Sequence, residues 1–238
     1  SFTGGVDVGW KLKSEAVKQK ITLELGGNAA CVVEPDSDWR RHVAKMAVGA
    51  FAYAGQSCIS VQRIFVHESI YGEFQEAFLA QVGEKTVAGN PRDAKTLVGP
   101  MITKAALDNV VAWVKDAGAR GAKLLTPLKV DGQILHPVVL QSVPREAAIA
   151  CEEAFAPVVV LESYRTFADG LAAVNDSKFG LQAGVFTGDM AKVYQAYDVL
   201  EVGGVLINQV PTFRTENMPY GGVKDSGSGR EGVPYAME

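Results

Sequence analysis

The chain alternates between segments of helical periodicity and short runs of strand-forming residues. In the helical segments, apolar residues recur three or four positions apart, as at Val43, Met46, Ala47 and Ala50. The intervening runs are short and β-branched, as in residues 60–67. Helices that alternate with such strands are typical of an α/β domain built on a parallel sheet. We therefore predict an α/β fold with a largely parallel sheet and helices on both faces.

The bounds of the predicted elements follow from the same patterns and from the turn residues at their ends. Asp36, Ser37 and Asp38 offer N-cap side chains before the first long helix, and Gly55 stops it. The predicted helices are 39–54, 70–87, 103–120, 166–176 and 190–200. The predicted strands are 21–25, 29–33, 60–67, 137–140, 157–161, 182–187 and 202–208. The glycine-rich segment 220–232 also carries charged residues, so we expect a structured loop there.

Composition argues against several classes of protein. The 238 residues are 47% hydrophobic, and 23 Lys and Arg against 27 Asp and Glu give a net charge of −4. Nucleic-acid-binding modules usually carry a basic excess, so we expect no nucleic-acid partner. No apolar run approaches the ~20 residues of a membrane span, so we expect no membrane partner. Three scattered cysteines are too few for a disulfide framework, which predicts a reducing compartment such as the cytoplasm.

Cys58 is the best candidate nucleophile of the three cysteines. It follows Gln56 and Ser57 in a polar stretch between a helix and a strand, and loops on a rigid scaffold often carry catalytic groups. Cys31 lies within an apolar strand and is expected to be buried. Cys151 lies beside two glutamates, whose charge opposes thiolate formation. A small buried core residue remains the alternative for Cys58.

Glu24 is the best candidate general base. Leu23 and Leu25 flank it at the end of an apolar strand, and partial burial there is expected to raise the pKa of its carboxyl. The alternative is a charge that faces solvent on an edge strand. The pair Glu152 and Glu153 precedes a turn, where a solvated acidic pair is the ordinary interpretation.

Local patterns alone indicate neither a metal site nor a definite cofactor loop. His42, His67 and His136 are far apart and have no zinc-ligand spacing, so we predict no metal site. The glycines of residues 4–9 resemble those of a dinucleotide-binding loop. Taken alone, that match is weak, because too little sequence precedes it to predict the required strand.

Five motifs, taken in order, resemble those of the aldehyde dehydrogenase family. They are FTGG at 2–5 with a further glycine at 9, LELGG at 23–27, GQSC at 55–58, EEAFAPV at 152–158, and PYGGVKDSGSGRE at 219–231 after Asn208. Cys58 follows Glu24 by 34 positions (58 − 24), which is the separation in that family. The resemblance covers essentially the whole chain. It is nearest to lactaldehyde and similar small-aldehyde dehydrogenases, on residues 53–56 and 213–219.

The resemblance implies oxidation of a small aldehyde to its carboxylate with NAD or NADP as cofactor. The Cys58 thiolate would attack the aldehyde to give a thiohemiacetal, and loss of hydride to the cofactor would leave a thioester. Glu24 would activate the water that hydrolyses this thioester. Transfer of the acyl group to CoA is the lesser alternative, because the retained Glu24 favours hydrolysis.

The resemblance also implies contacts for cofactor and substrate. Glu153 would bind the nicotinamide-side ribose, and Phe155 would pack beneath the nicotinamide end. The implied cofactor contacts are Gly4, Gly5, Gly9, Leu25, Gly26, Glu153 and Phe155, and the implied substrate contacts are Gln56, Ser57, Ile59, Phe213 and Arg214. An arginine at position 214 could pair with a substrate carboxylate or phosphate. A surface arginine that bonds the loop backbone is an equal alternative.

On the family pattern, this chain is one part of a longer protein. Residues 1–26 correspond to the C-terminal tail of the cofactor-binding domain. Residues 27–238 correspond to the catalytic domain, truncated before the oligomerisation strand. We expect the full-length parent to be a homo-oligomer and the chain alone to be inactive as a dehydrogenase. The alternatives are an isolated domain with at most thiol-dependent esterase activity and a non-catalytic family member, against which the retained Cys58 and Glu24 argue.

Overall fold

The computed structural model describes residues 1–237 of the chain. The strands are β1 (Phe2–Thr3), β2 (Leu23–Glu24), β3 (Ala29–Val33), β4 (Val61–His67), β5 (Lys123–Leu124), β6 (Val130–Asp131), β7 (Ile134–Leu135), β8 (Val138–Gln141), β9 (Val158–Tyr164), β10 (Phe179–Gly180), β11 (Gln182–Phe186), β12 (Gly204–Ile207), β13 (Val223–Lys224) and β14 (Gly227–Ser228). The helices are α1 (Val6–Glu15), α2 (Trp39–Phe51), α3 (Tyr71–Lys85), α4 (Lys104–Ala119), α5 (Ala148–Cys151), α6 (Phe167–Asn175), α7 (Met190–Val199) and α8 (Val233–Ala236). Short 3₁₀ turns span Ala52–Gly55 and Glu68–Ile70.

The central sheet has the strand order β12-β11-β3-β4-β9-β8-β5. Neighbouring strands are parallel except at β5, the edge strand, which runs antiparallel to β8. Strand β3 is buried at every residue, as its unbroken apolar run predicts for a strand covered on both faces. The predicted α/β fold with a largely parallel sheet is confirmed.

Helices cover both faces of this sheet. On one face, α2 and α3 pack Met46, Phe74 and Phe78 into one core cluster with residues of β4 and β9. On the other face, Leu171 of α6 and Ala196 of α7 join a second cluster with residues of β3 and β11. Within residues 1–237, no helix is both long enough and apolar enough to cross a bilayer.

Helix α2 ends earlier than its apolar periodicity predicts, and this positions the loop that carries Cys58. The helix stops at Phe51, since Tyr53 and Ala54 adopt left-handed backbone angles with φ of 55° and 57°. Gly55 continues the turn with φ 65°, and a Cβ there would lie 2.1 Å from the carbonyl oxygen of Ala156. Side chains other than glycine rarely tolerate such a conformation and such a contact together.

Residues 6–9 form the first turn of α1, a helix that the glycine pattern did not predict. Gly5 is the N-cap of α1, so Gly9 lies inside the helix. A Cβ on Gly9 would come within 2.4 Å of the Leu25 side chain. This glycine therefore lets α1 pack closely against the segment that carries Glu24.

Strand β2 joins the two ends of the described chain. It pairs in parallel with β1 and antiparallel with β14, and the Leu25 N–H donates to the Ser226 carbonyl at 2.9 Å. The glycine-rich segment 220–232 is thus ordered by strand pairing, which confirms the expected structured loop. The domain boundary after residue 26 stays a prediction. Glu238, the last residue of the predicted catalytic domain, lies outside the described residues.

Candidate active site

Glu24 is a buried carboxylate in β2. It is only 4% exposed, and within the described part of the chain neither carboxylate oxygen has a hydrogen-bond partner. Burial, followed by the charge of Glu231, raises the pKa of Glu24 to about 7, while Arg214 and Arg230 act in the opposite direction. The expected pKa shift by desolvation is therefore present. A carboxylate with a pKa near neutral pH is suited to general-base work.

Gly27 brings the segment that carries Glu24 against the segment that carries Cys58. A Cβ on Gly27 would lie 2.0 Å from the carbonyl oxygen of Cys58, closer than any real Cβ contact. Only glycine allows this approach of two backbones. The LELGG and GQSC motifs, far apart in sequence, therefore meet at one site.

Cys58 is the cysteine with access to this site. Its side chain is partly exposed, and its Sγ lies 3.4 Å from the Tyr220 hydroxyl oxygen. Burial raises the pKa of the Cys58 thiol, the Tyr220 bond lowers it, and the charges of Glu153 and Glu24 raise it further. Cys31 is fully buried in β3, and that burial raises the pKa of its thiol strongly. The catalytic role of Cys58 stays a prediction.

Glu153 faces the Cys58 site from the opposite segment. Its Oε1 accepts a hydrogen bond from the Gly27 N–H at 2.8 Å, and a Cβ on Gly26 would lie 2.7 Å from its Oε2. Burial raises the pKa of Glu153. Glu153 is therefore a partly buried carboxylate next to the thiol, and the ordinary interpretation as a solvated acidic pair does not hold for it. Its partner Glu152 instead forms an ion pair with Lys178 at 2.6 Å.

Two buried amides hold the segment that carries Glu153. Asn28 Nδ2 donates to the carbonyl oxygens of Ala150 and Glu152 at 3.0 and 2.9 Å. Gln62 Nε2 donates to Glu152 O at 2.8 Å, and its Oε1 accepts from the Ala154 N–H at 3.0 Å. Neither amide could be assigned a role from the sequence, because the partners of each lie more than 80 residues away.

The predicted cofactor contacts surround this junction. Gly4 and Gly5 lie where β1 leads into α1, and a Cβ on Gly5 would meet nothing within 4 Å. Leu25 and Gly26 directly follow Glu24. Phe155 is 41% exposed and has a left-handed φ of 46°, directly before the residue that Gly55 contacts.

The predicted substrate contacts differ in exposure and in the bonds that their side chains make. The Gln56 side chain holds the local backbone, since Oε1 accepts from the Ile102 N–H at 2.7 Å and Nε2 donates to Pro100 O at 3.3 Å. Ser57 and Ile59 flank Cys58 and are half-buried. Phe213 is exposed to solvent at 42%.

Arg214 packs against Tyr220, whose hydroxyl in turn contacts Cys58. Its guanidinium carbon is 4.1 Å from the centroid of the Tyr220 ring, and its Nη2 donates to Glu231 Oε2 at 3.1 Å. Tyr220 lies within the last of the five motifs, and no role was predicted for it from the sequence. Nothing in its sequence context shows that the tyrosine meets a cysteine 162 positions away.

A metal centre does not accompany this arrangement in the described residues. Between residues 1 and 237, no group of three or more His, Cys, Asp and Glu side chains is placed to hold a metal ion.

The sequence pattern of the aldehyde dehydrogenase family matches residues 1–238. The chain belongs to this family. Three proteins show how similar the chain is to known members. The 3-sulfolactaldehyde dehydrogenase of Priestia megaterium is 42% identical over 238 residues, which are all of this chain and 50% of the relative. This confirms the resemblance that the five motifs indicated.

Two solved structures of family members superpose closely on this chain. Aldehyde dehydrogenase 21 from Physcomitrella patens, in complex with the reaction product succinate, is 44% identical with a TM-score of 0.94 over 99% of this chain and 49% of that one. Glyceraldehyde-3-phosphate dehydrogenase GapN from Methanocaldococcus jannaschii, complexed with NADP, is 41% identical with a TM-score of 0.94 over 100% of this chain and 52% of that one. The chain spans about half the length of the curated relatives it matches.

Proposed function

We propose that the whole protein is an NAD(P)-dependent aldehyde dehydrogenase that oxidises a small aldehyde to its carboxylate through Cys58. The observation that carries this proposal is the junction at Gly27. There the backbone of Cys58, whose thiol is partly exposed, meets the segment whose buried Glu24 has a pKa of about 7. A nucleophile paired with a base of near-neutral pKa is what covalent aldehyde oxidation followed by hydrolysis requires.

The chemistry begins with a bond between Cys58 Sγ and the aldehyde carbon. The carbonyl π electrons move to oxygen, and the Cys58 backbone N–H is the nearby donor for that oxyanion. NAD or NADP, when bound, would supply the hydride acceptor needed to oxidise the resulting Cys58 thiohemiacetal to a thioester. Glu24 then removes a proton from water, the hydroxide oxygen bonds to the thioester carbon, and the C–S bond breaks to release the Cys58 thiolate and the carboxylic acid, which loses its proton to solvent as the carboxylate.

The residues at the junction fit the nicotinamide end of NAD or NADP. Gly26 allows the Glu153 carboxylate to approach the backbone closely, because a Cβ at this position would lie 2.7 Å from Glu153 Oε2. A carboxylate there can accept hydrogen bonds from ribose hydroxyls. Gly4 and Gly5, without a Cβ at the start of α1, allow a phosphate to approach the helix N-terminus. We keep the assignment of Phe155 beneath the nicotinamide end as part of this proposal.

For the substrate, we propose a small aldehyde that carries an anionic group. Arg214 supports this, since its guanidinium lies against Tyr220 and is paired with only one carboxylate oxygen among the described residues. The relatives named above are a 3-sulfolactaldehyde dehydrogenase and a structure with bound succinate. Arg214→Ala should raise KM for anionic aldehydes at least tenfold more than for neutral ones. An equal effect on both classes points to a purely structural arginine.

The proposed function is tested by nicotinamide reduction in the whole protein with glycolaldehyde, lactaldehyde and succinate semialdehyde. We expect Cys58→Ser to abolish turnover and Cys31→Ser, whose side chain is buried away from the site, to retain it. Equal turnover in the two variants contradicts the assignment of Cys58.

A second candidate function is thiol-dependent hydrolysis of activated esters by this chain alone. It is favoured because Cys58, Glu24 and Tyr220 all lie within residues 1–237, and ester hydrolysis needs no hydride acceptor. Hydrolysis of p-nitrophenyl acetate by the 238-residue chain, lost in Cys58→Ser, supports it. Equilibrium titration with NAD tests the companion expectation that the chain alone is inactive as a dehydrogenase, which tight binding would contradict.

The remaining expectations concern the whole protein. We propose that residues 1–26 complete a cofactor-binding domain supplied by the rest of the protein, and that residues 27–238 form the catalytic domain. We also propose a homo-oligomer in the cytoplasm. The three unpaired cysteines are consistent with that reducing compartment. Analytical ultracentrifugation and cell fractionation of the whole protein test these two expectations.

A further inference from the structure

Tyr220 contacts the nucleophile from the glycine-rich segment, yet the mechanism above gives it no role. Its hydroxyl oxygen lies 3.4 Å from Cys58 Sγ, and the residue is only 5% exposed. We propose that Tyr220 donates a hydrogen bond to Cys58 Sγ and thereby stabilises the thiolate before attack. This rests on the proposed role of Cys58 as nucleophile and adds a second residue that touches the reacting sulfur.

Ionisation of the cysteine decides the direction of this hydrogen bond. With a protonated thiol, either atom can donate. A thiolate has no proton, so Tyr220 must then be the donor and Cys58 Sγ the acceptor. Hydrogen bonds to an ionised acceptor are roughly twice as strong as those between neutral groups. The contact therefore favours the ionised form of Cys58 over the protonated form.

The other groups that face the thiol have the opposite effect. Burial raises the pKa of Cys58, and the negative charges of Glu153 and Glu24 raise it further. Among the side chains that the structure describes around Cys58, Tyr220 is the one whose hydrogen bond lowers this pKa. Arg214, Arg230 and the carboxylate of Glu231 act on Glu24, one step further from the sulfur. The Tyr220 hydroxyl is the larger of the two groups that lower the pKa of Cys58, the other being the cysteine's own backbone N–H.

Two contacts hold Tyr220 in place for this role. Tyr220 N donates to Glu231 O at 3.3 Å, and Glu231 N donates to Tyr220 O at 2.6 Å, so the backbones of the two residues are tied together. The guanidinium of Arg214 lies 4.1 Å from the centre of the Tyr220 ring and is itself bonded to Glu231. A cation over the ring face attracts electron density from the phenol, which makes its O–H a better donor.

Charges around the phenol agree with donation rather than ionisation of Tyr220. Burial raises the pKa of the phenol, the charges of Cys58 and Glu24 raise it further, and Arg214 lowers it. The phenol therefore stays protonated and available as a donor while the cysteine loses its proton. Arg214 tunes this donor without touching the sulfur, which makes it a positioning residue in this proposal.

The test measures the ionisation of Cys58 directly in Tyr220→Phe, which keeps the ring and removes the hydroxyl. The rate of alkylation by iodoacetamide is followed against pH by mass spectrometry of the Cys58 peptide, because Cys151 is also partly exposed. Loss of a hydrogen bond to a charged group is expected to move the midpoint up by about one pH unit. Below that midpoint, the alkylation rate falls about tenfold at fixed pH, because the thiolate fraction changes tenfold per pH unit.

Tyr71→Phe is the matched control. The Tyr71 hydroxyl bonds Gln141 and the Leu161 carbonyl, remote from the thiol, so its loss should leave the Cys58 midpoint unchanged. Arg214→Gln should move the midpoint upward by less than Tyr220→Phe does. A Tyr220→Phe midpoint equal to that of the wild type overturns the proposal, as does an equal shift in the Tyr71→Phe control.

This assay uses neither aldehyde nor cofactor, so its outcome is separate from that of the proposed function. If Cys58→Ser retains aldehyde oxidation, the proposed function fails. The alkylation profile would still report whether Tyr220 stabilises the thiolate. Conversely, an unmoved midpoint rejects the role of Tyr220 and leaves the assignment of Cys58 to its own test.

Discussion

Substitution of Gly27 by alanine is the sharpest test of how the site is assembled. The new Cβ would lie 2.0 Å from the Cys58 carbonyl oxygen, whereas ordinary contacts begin at 3.4 Å. The two segments must therefore separate by about 1.4 Å (3.4 − 2.0). A change of side-chain rotamer cannot relieve the clash, because the Cβ is fixed to one backbone and the carbonyl oxygen belongs to the other. Overpacking of this kind costs about 1–3 kcal/mol of folding free energy. We expect Tm to fall by roughly 3–9 °C at about 3 °C per kcal/mol.

The effect of Gly27→Ala on activity should exceed its effect on stability. A misplacement of about 1 Å in a catalytic arrangement can cost about 100-fold in rate, so we expect at least that loss of kcat. Steady-state kinetics and thermal unfolding are measured on the same preparation. Gly83→Ala in α3 is the matched control, because a Cβ there meets nothing within 4 Å and alanine favours a helix. Wild-type turnover and wild-type Tm in Gly27→Ala would refute the reasoning.

The remaining predictions concern the base and the segment that carries Glu153. Because the pKa of Glu24 is raised to about 7, thioester hydrolysis should increase with pH through about 7 and be lost in Glu24→Gln, as a stopped-flow pH profile would show. The pKa of Glu24 is raised from 4.5 to about 7 in the folded state, so ionisation of this carboxyl destabilises the fold as the pH rises through that range. Glu24→Gln should therefore raise Tm at pH 8 and leave it unchanged at pH 4. An equal Tm for wild type and variant at pH 8 would contradict the burial of an ionisable Glu24. Gln62→Met removes the side-chain hydrogen bonds to the backbones of Ile149, Glu152 and Ala154. It should lower the free energy of unfolding by about 1–3 kcal/mol and weaken cofactor binding in the whole protein. An unchanged urea unfolding curve and an unchanged calorimetric affinity would contradict this.

Local sequence patterns were sufficient for most of the fold. Residues 29–33 form a buried strand of the sheet, and residues 39–51 form a helix with one face buried against it. Each kind of burial leaves its own apolar pattern, so both elements and their approximate bounds could be predicted. The end of α2 could not, because it depends on the left-handed angles of Tyr53 and Ala54, which serve the contact of Gly55 with a distant carbonyl. Helix α1 was missed because Gly9, its one glycine, allows packing against Leu25 rather than forming a loop.

The candidate site was predictable as far as single residues carry a chemical signal. A carboxylate between leucines and a cysteine in a polar turn identified Glu24 and Cys58 from the sequence. Tyr220, Asn28 and Gln62 carry no such signal, because their importance comes from partners that only the tertiary structure brings near. The environment of Cys58 was equally hidden, since the charge of Glu153 reaches it from a segment about 95 residues later in the chain.

The pairing of β2 with β14 has a consequence for how the protein is made. The strand with Glu24 is only two residues long, and one of its two neighbours, Gly227–Ser228, is synthesised some 200 residues later. Tyr220 reaches Cys58 from the same late segment. During synthesis, the central sheet can form while the base lacks its second neighbour and the thiol lacks its hydrogen-bond donor. We expect the nascent chain to acquire a reactive thiol only when segment 220–232 docks, so that the thiol remains weakly nucleophilic until that segment has been synthesised.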